Sequence, residues 1–145
     1  MTWTQKFFSF EGRLRRQDFW ICTIVLGVAT FILQMILGML FGVSAMTASA
    51  IDPNDPAAAA AVAAQMGPLF GMLGICILVS LWPSLAIVVK RHHDRDQSGW
   101  FTLILLIPLV GFFWWLINLG ILDGTPGPNQ YGPSPKGLGE APAAA

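Results

Sequence analysis

The densest group of reactive side chains in this sequence lies in the stretch KRHHDRDQSGW, residues 90–100. Five of the chain's sixteen acidic and basic residues fall in the first seven positions of this stretch. Its histidines and aspartates are ligand types that zinc accepts: His92, His93, Asp94 and Asp96. His93 beside Asp94 also suggests a general base with an orienting carboxylate. Either chemistry requires these side chains to converge on one point.

Neither chemistry fits the spacing. Structural zinc is usually held by Cys or His ligands in separated pairs, whereas the side chains of immediate neighbours diverge. Adjacent residues rarely hydrogen-bond to each other, and the chain has no G-x-S-x-G nucleophile motif. Ser98 is a better candidate for the N-cap of the following helix. We therefore predict that the protein is not an enzyme and has no catalytic residue, metal site or cofactor.

The elements around this stretch are apolar enough for a membrane. Charged residues make up 11% of the chain, against about 25% in soluble domains. The net charge is zero and gives no sign of a nucleic-acid partner. An uncharged apolar stretch of about 18 residues or more is a candidate transmembrane helix. Three stretches qualify: 19–43, 56–89 and 100–122.

We predict an all-α membrane protein with three transmembrane helices, at about residues 19–43, 67–89 and 100–122. Gly67-Pro68 is expected to break the second stretch, because the residue before a proline disfavours the α region. The Ala-rich part before this break is then a separate extramembrane helix. Pro108 and Gly111 leave open a re-entrant hairpin for the third stretch. We favour a full span, since each arm of a hairpin is short and backbone in lipid needs internal hydrogen bonds.

The positive-inside rule orients these helices. Lys and Arg precede the first predicted helix and follow the second, and the loop between those two helices has none. The N-terminus is therefore expected in the cytoplasm and the C-terminus outside. The chain is predicted to be one integral-membrane domain, 1–145. Its non-spanning parts are a cytoplasmic interfacial segment at 1–18, an outer loop at 44–66, a cytoplasmic loop at 90–99 and a Gly/Pro-rich outer tail at 123–145.

Small residues mark candidate helix-packing faces. Gly38 and Gly42 form a GxxxG pattern on one face of the first predicted helix, and Gly67 and Gly71 begin the second. Such residues let helices approach closely. We favour packing within this chain, while a homo-oligomer or a membrane-protein partner stays open.

Three ordered motifs resemble a known family. They are FEGRLRRQDFW at 10–20, KRHHDRDQSGW at 90–100 and DGTPGPNQYGPSP at 123–135. The set is similar to the signatures of the bacterial inner-membrane family catalogued as domain of unknown function 805. The resemblance implies a multi-span inner-membrane protein and supplies no activity. Lys90 and His92 depart from the family pattern. The matching positions include Gly12, Arg13, Arg16, Phe19, Trp20, Arg91, His93, Asp94, Ser98, Gly99, Trp100, Gly124, Thr125, Asn129, Tyr131 and Gly132.

Cationic residues near the first motif and the second are expected to share the cytoplasmic face. We expect Asp94 or Asp96 to pair with Arg13 or Arg16 and to fix that end of the helix bundle. Arg91 joins the same face.

This basic face gives the predicted function. Our candidate contacts for anionic lipid headgroups or a protein partner are Arg13, Arg16, Arg91, His93 and Asp94. We predict a non-enzymatic membrane accessory or envelope-stress component. An oligomeric transporter or channel subunit is the alternative.

Overall fold

The computed structural model describes residues 1–40 and 56–137, which form helices and loops without a β-strand. Helix α1 spans Trp3–Phe8, and it begins at a capping box in which Thr2 and Gln5 each bind the other's backbone N–H. Two long helices follow. The remaining elements are short and depart from regular α geometry. The bounds are α2 Arg16–Leu40, α3 Pro56–Asp94, a 3₁₀-helix at Gly99–Leu106, α4 Val110–Phe113 and a π-helix at Trp114–Ile121.

The chain divides into two compact units. One comprises Met1–Leu26 and Leu81–Ala145, and the other comprises Gly27–Ser80. In the first unit, the start of α2 packs against the end of α3 and against the π-helix. The buried apolar side chains of this core are Leu14, Phe19, Cys22, Ile87, Val88 and Leu119.

Helices α2 and α3 are long and apolar enough to cross a membrane. Only 6% of the most apolar stretch of α2 is buried, and 28% of that of α3. The core helix of a soluble protein would bury far more of its apolar surface. These outward-facing apolar side chains therefore suit a lipid environment.

The predicted break at Gly67-Pro68 is wrong. Helix α3 runs from Pro56 to Asp94 without interruption, so the Ala-rich stretch forms its first turns and is not a separate helix. A proline inside a helix removes one hydrogen bond, which an otherwise continuous helix in an apolar segment tolerates. Residues 41–43 of the first predicted span and residues 44–55 of the outer loop lie outside the described residues.

The third predicted helix does not form as one helix. The 3₁₀-helix ends at Leu106, and the next helix begins at Val110. Between them, Val110 N–H donates to Pro108 C=O at 2.7 Å, which closes a γ-turn around Leu109 at φ 64° and ψ −57°. A Cβ on Gly111 would lie 2.7 Å from the Leu105 carbonyl oxygen, so only glycine fits this turn. We call residues 99–121 the apolar hairpin.

The two arms of the apolar hairpin lie side by side. The rings of Phe101 and Trp114 stack 5.9 Å apart with an interplanar angle of 5°. In a straight helix, thirteen residues would separate them by about 20 Å. The hairpin therefore starts and ends beside the last turns of α3. His92 packs against both of these rings, which accounts for an aromatic ring at this buried position.

Candidate functional site

Three charged side chains meet at the end of α3. Arg91 and Asp94 lie three residues apart on this helix and form an ion pair. Arg13, from the segment between α1 and α2, binds the same carboxylate at 3.2 Å. All three are buried. We call Arg13, Arg91 and Asp94 the Arg–Asp–Arg cluster. The expected pairing of Asp94 with Arg13 is thus confirmed.

The remaining N–H groups of both arginines bind backbone carbonyls. Arg91 Nε donates to Leu119 O at 2.7 Å, and Arg91 Nη2 donates to Leu122 O. Arg13 Nη2 donates to Thr125 O at 2.8 Å, and Arg13 Nη1 donates to Gly127 O at 2.6 Å. A guanidinium presents five donors in a planar fork, so it can join a carboxylate to several carbonyls at once. The cluster thereby fastens the end of the apolar hairpin and the following loop to α3.

The loop after the hairpin caps α3. The last carbonyls of a helix have no partner within it. Here Thr125 N–H donates to Asp94 O at 2.8 Å, and Asn129 Nδ2 donates to His93 O at 2.8 Å. Gly124 makes this approach feasible, because a Cβ there would lie 2.8 Å from Asp94 O and overlap the carboxylate.

The two adjacent histidines have separate environments. His93 stacks on Tyr131 with ring centroids 3.8 Å apart and an interplanar angle of 4°. His92 lies among the aromatic rings of the hairpin, with its Nδ1 3.1 Å from Gln97 Oε1. Their side chains therefore diverge, as the sequence predicts for neighbours.

A buried lysine fastens α1 to the same end of α3. Lys90 is fully buried, and its Nζ donates to the carbonyl oxygens of Gln5 and Lys6, the latter at 2.6 Å. A cation near the C-terminal carbonyls of a helix is electrostatically favourable. Lys90 is therefore an internal contact and is not part of an exposed basic face.

Two arginines remain accessible. The side chains of Arg15 and Arg16 are 42% and 45% exposed. Arg15 binds Asp18 at 2.8 Å, and Arg16 lies 3.7 Å from Asp123. The hydrogen bond from Lys136, followed by the charge of Arg16, lowers the pKa of Asp123 below its ordinary value. Exposed ion pairs of this kind contribute little and exchange partners readily.

The structure sorts the predicted site residues into three groups. It brings together Arg13, Arg91 and Asp94, buries them and uses their hydrogen-bonding groups internally. His93 lies next to this cluster, and Arg16 lies at the surface. Ser98 caps the 3₁₀-helix by accepting from Trp100 N–H, which confirms its predicted role.

The predicted packing glycines have less defined partners. A Cβ on Gly38 would lie 3.9 Å from Met72 Sδ, an ordinary contact. A Cβ on Gly67 or Gly71 would meet nothing within 4 Å among the described residues. Gly42 lies outside the described residues.

Sequence reasoning gave no role to Thr125 and Asn129, although both stand at fixed positions of the third motif. All three motifs meet in the site: Arg13 comes from the first, Arg91 and Asp94 from the second, and Thr125 from the third. The family described as protein of unknown function (DUF805) matches residues 7–133, which include the first two motifs and all but the last two residues of the third. The chain belongs to the DUF805 family.

Relatives of this DUF805 protein are membrane proteins by name. Inner membrane protein YhaH of Escherichia coli (strain K12) is 32% identical over 134 residues, which cover 91% of each chain. Inner membrane protein YhaI of the same organism is 28% identical over 137 residues, covering 91% of this chain and 90% of that one. No solved structure gives a significant match. With the two long apolar helices, these matches identify a membrane protein and indicate no enzymatic family.

Proposed function

We propose that this DUF805 protein is a non-enzymatic accessory component of the bacterial inner membrane, and that its exposed basic face binds anionic lipid headgroups. The observation that carries the proposal is that some of its cations are buried and others are exposed. Arg13, Lys90 and Arg91 are buried in internal contacts, whereas Arg15 and Arg16 remain exposed at the start of α2. The exposed pair can reach a phosphate without disrupting the fold, whereas the buried cations cannot.

Helix α1 supports a position at the membrane surface. Trp3 and Phe8 are exposed, and Lys6 lies between them with its Nζ 4.9 Å from the centroid of a Trp3 ring. Aromatic side chains next to cations are typical of segments at the headgroup boundary. A cavity of about 520 Å³ lies between α1, the start of α2 and the loop at 131–135, and its charged lining residues are Lys6, Arg13, Arg15 and Asp18.

We also propose that the chain crosses the membrane twice, with both termini in the cytoplasm, in place of the three spans and outer tail expected from the sequence. The support is the apolar hairpin. Its 3₁₀ arm has eight residues and at about 2 Å per residue extends only about 16 Å, half of a ~30 Å hydrocarbon core. Its second arm returns to Arg91 and Asp94. In this arrangement all eight Lys and Arg residues lie on the cytoplasmic side.

Native mass spectrometry of the purified protein with phosphatidylglycerol tests the headgroup proposal. The Arg15→Gln/Arg16→Gln variant should bind this lipid more weakly by about 2 kcal/mol, since each basic residue near the surface contributes about 1 kcal/mol. Arg15→Lys/Arg16→Lys, which keeps both positive charges at the same positions, is the matched control and should bind as the wild type. Equal retention by the double variant would contradict the proposal.

An oligomeric transporter or channel subunit is the second candidate. It is favoured by the turn at Pro108–Leu109, because non-helical backbone at membrane depth often lines a polar cavity. Against it, residues 19–43, 67–89 and 100–122 contain no Asp, Glu, Lys, Arg or His, which ion-coupled carriers usually place within the membrane. Ion flux in proteoliposomes, together with a defined oligomer, would favour this candidate over the first.

A further inference from the structure

A pocket of about 450 Å³ lies between the end of α3 and the first turns of the apolar hairpin. Its volume is within the range of small-molecule sites. Its apolar lining includes Phe10, Leu85, Val89 and Leu103. Trp100, on its rim, is 78% exposed. The mouth of the pocket therefore opens among apolar side chains, at a level that Trp residues occupy at membrane interfaces.

In the wall, Thr102 Oγ1 is buried with no hydrogen-bond partner among the described residues. Buried polar atoms are normally paired, because an unmade hydrogen bond costs free energy. Tyr131 stacks on the His93 ring, and the backbone of Gly12 hydrogen-bonds to this ring, so both hold His93 in the wall. Thr102 is fixed within the 3₁₀-helix. The pocket thus combines a hydrocarbon wall with a positioned hydroxyl group that has no partner among the described residues.

We propose that this pocket binds the upper acyl chain and ester group of a membrane phospholipid. The hydrocarbon packs against Leu85, Val89 and Leu103, and the Thr102 hydroxyl donates to the ester carbonyl. No Lys, Arg, Asp or Glu lines the pocket. Binding there is therefore independent of headgroup charge, and this site does not rest on the basic face at Arg15 and Arg16.

The full chain in phosphatidylcholine vesicles, with a phosphatidylcholine that carries an acyl-chain diazirine as the probe, tests this site. Photolabelling of residues 85–103 is measured by mass spectrometry relative to the lipid-facing residues 24–32 of α2. Leu85→Trp fills the pocket. It should lower this ratio at least about fivefold, because the indole ring then occupies the space of the acyl chain and removes its apolar contacts. Leu81→Trp adds the same side chain one turn earlier, outside the pocket, and should leave the ratio unchanged.

The ester contact has its own variant. Thr102→Val removes the hydroxyl at nearly constant volume, and it should lower the labelling ratio about fivefold, as expected for one lost hydrogen bond. Thr23→Val on α2, which does not line the pocket, is the control. Each variant must elute as the wild type in size-exclusion chromatography, which shows that it is folded. If Leu85→Trp does not, the labelling ratio of Thr102→Val alone tests the proposal, and a ratio equal to that of the wild type overturns it.

Two results would overturn the proposal. The first is an equal labelling ratio in Leu85→Trp, Leu81→Trp and the wild type, which would mean that only surrounding bulk lipid is labelled. The second is labelling of residues 85–103 in phosphatidylglycerol vesicles but not in phosphatidylcholine vesicles, which would assign the contact to headgroup charge. Equal labelling in both lipids, with loss in Leu85→Trp, supports the pocket even if Arg15 and Arg16 bind no headgroup.

Discussion

Asp94 connects α3 to two other segments of the first unit. Its carboxylate binds Arg13 and Arg91, and its carbonyl accepts from Thr125. The two guanidiniums carry one more charge than the carboxylate neutralises, and the carbonyl ends of α3 and of the hairpin supply the compensating partial charge. A buried ion pair adds little net stability, but removal of one partner leaves the other charge uncompensated. The cluster therefore matters most when it is broken.

Asp94→Asn should lower the free energy of unfolding by about 3 kcal/mol, because it leaves two buried guanidiniums without a carboxylate. Thermal unfolding of the detergent-solubilised protein measures this as a lower Tm. Asp96→Asn, the same change at an exposed residue two positions later, is the control and should be neutral. An unchanged Tm for Asp94→Asn would show that the cluster does not hold the unit together.

Gly124→Ala should also destabilise the protein, by about 2 kcal/mol, because the added methyl group overlaps the Asp94 carboxylate and separates the loop from α3. Gly74→Ala on α3 is the matched control, since a Cβ there meets nothing within 4 Å, and it should be neutral or slightly stabilising. Thermal unfolding of both variants tests this prediction. A similar, small change in Tm for the two variants would mean that the loop does not approach α3 as closely as the structure indicates.

At the scale of secondary-structure elements, the apolar hairpin differs from the single third helix that the sequence predicted. Its composition is the same whether it crosses the membrane or folds back, so hydropathy cannot separate the two. What separates them is the docking of its second arm: Leu119 and Leu122 accept from Arg91, and Gly120 O accepts from Trp20 Nε1 at 3.0 Å. These acceptors are backbone carbonyls, which every residue has and which leave no signal in a sequence.

At the tip of the hairpin, two substitutions by glycine are expected to change the free energy of unfolding in opposite directions. Leu109, 76% exposed, holds a positive φ that is costly for leucine. Leu109→Gly should therefore raise the free energy of unfolding by about 1 kcal/mol. Leu106→Gly, three residues earlier in regular 3₁₀ geometry, should lower it by about 1 kcal/mol. The same sign for both variants, in thermal unfolding, would rule out the strained turn.

The sequence predicted some elements well and others poorly, for physical reasons. The long uncharged run at 19–43 predicted α2. The distribution of charge predicted that Asp94 or Asp96 pairs with Arg13 or Arg16, and the structure forms the pair of Asp94 with Arg13. Gly67-Pro68 misled because a local rule against helix was weaker than the continuity of α3. The capping of α3 by Thr125 and Asn129 depends on how closely their loop approaches the end of α3 in the folded protein. No local sequence pattern encodes that distance.

At the scale of the whole molecule, the proposed two-span topology predicts that the C-terminal tail lies on the cytoplasmic side of the membrane. A green fluorescent protein fused after the last residue should fluoresce, and an alkaline phosphatase fused there should be inactive, because both termini are proposed to be cytoplasmic. A fusion directly after the described end of α2, at Leu40, should give the reverse result. Active phosphatase at the C-terminus would instead support three full spans.

The Arg–Asp–Arg cluster also has a consequence for biogenesis. Arg13 and Asp94 are 81 residues apart, and Arg13 and Gly127 are 114 residues apart. During synthesis, both long helices leave the ribosome before the cluster can close, so the nascent chain carries unpaired arginines beside the insertion machinery. Assembly of this end of the first unit is therefore among the last steps, and a chain that stops before Gly124 cannot complete it.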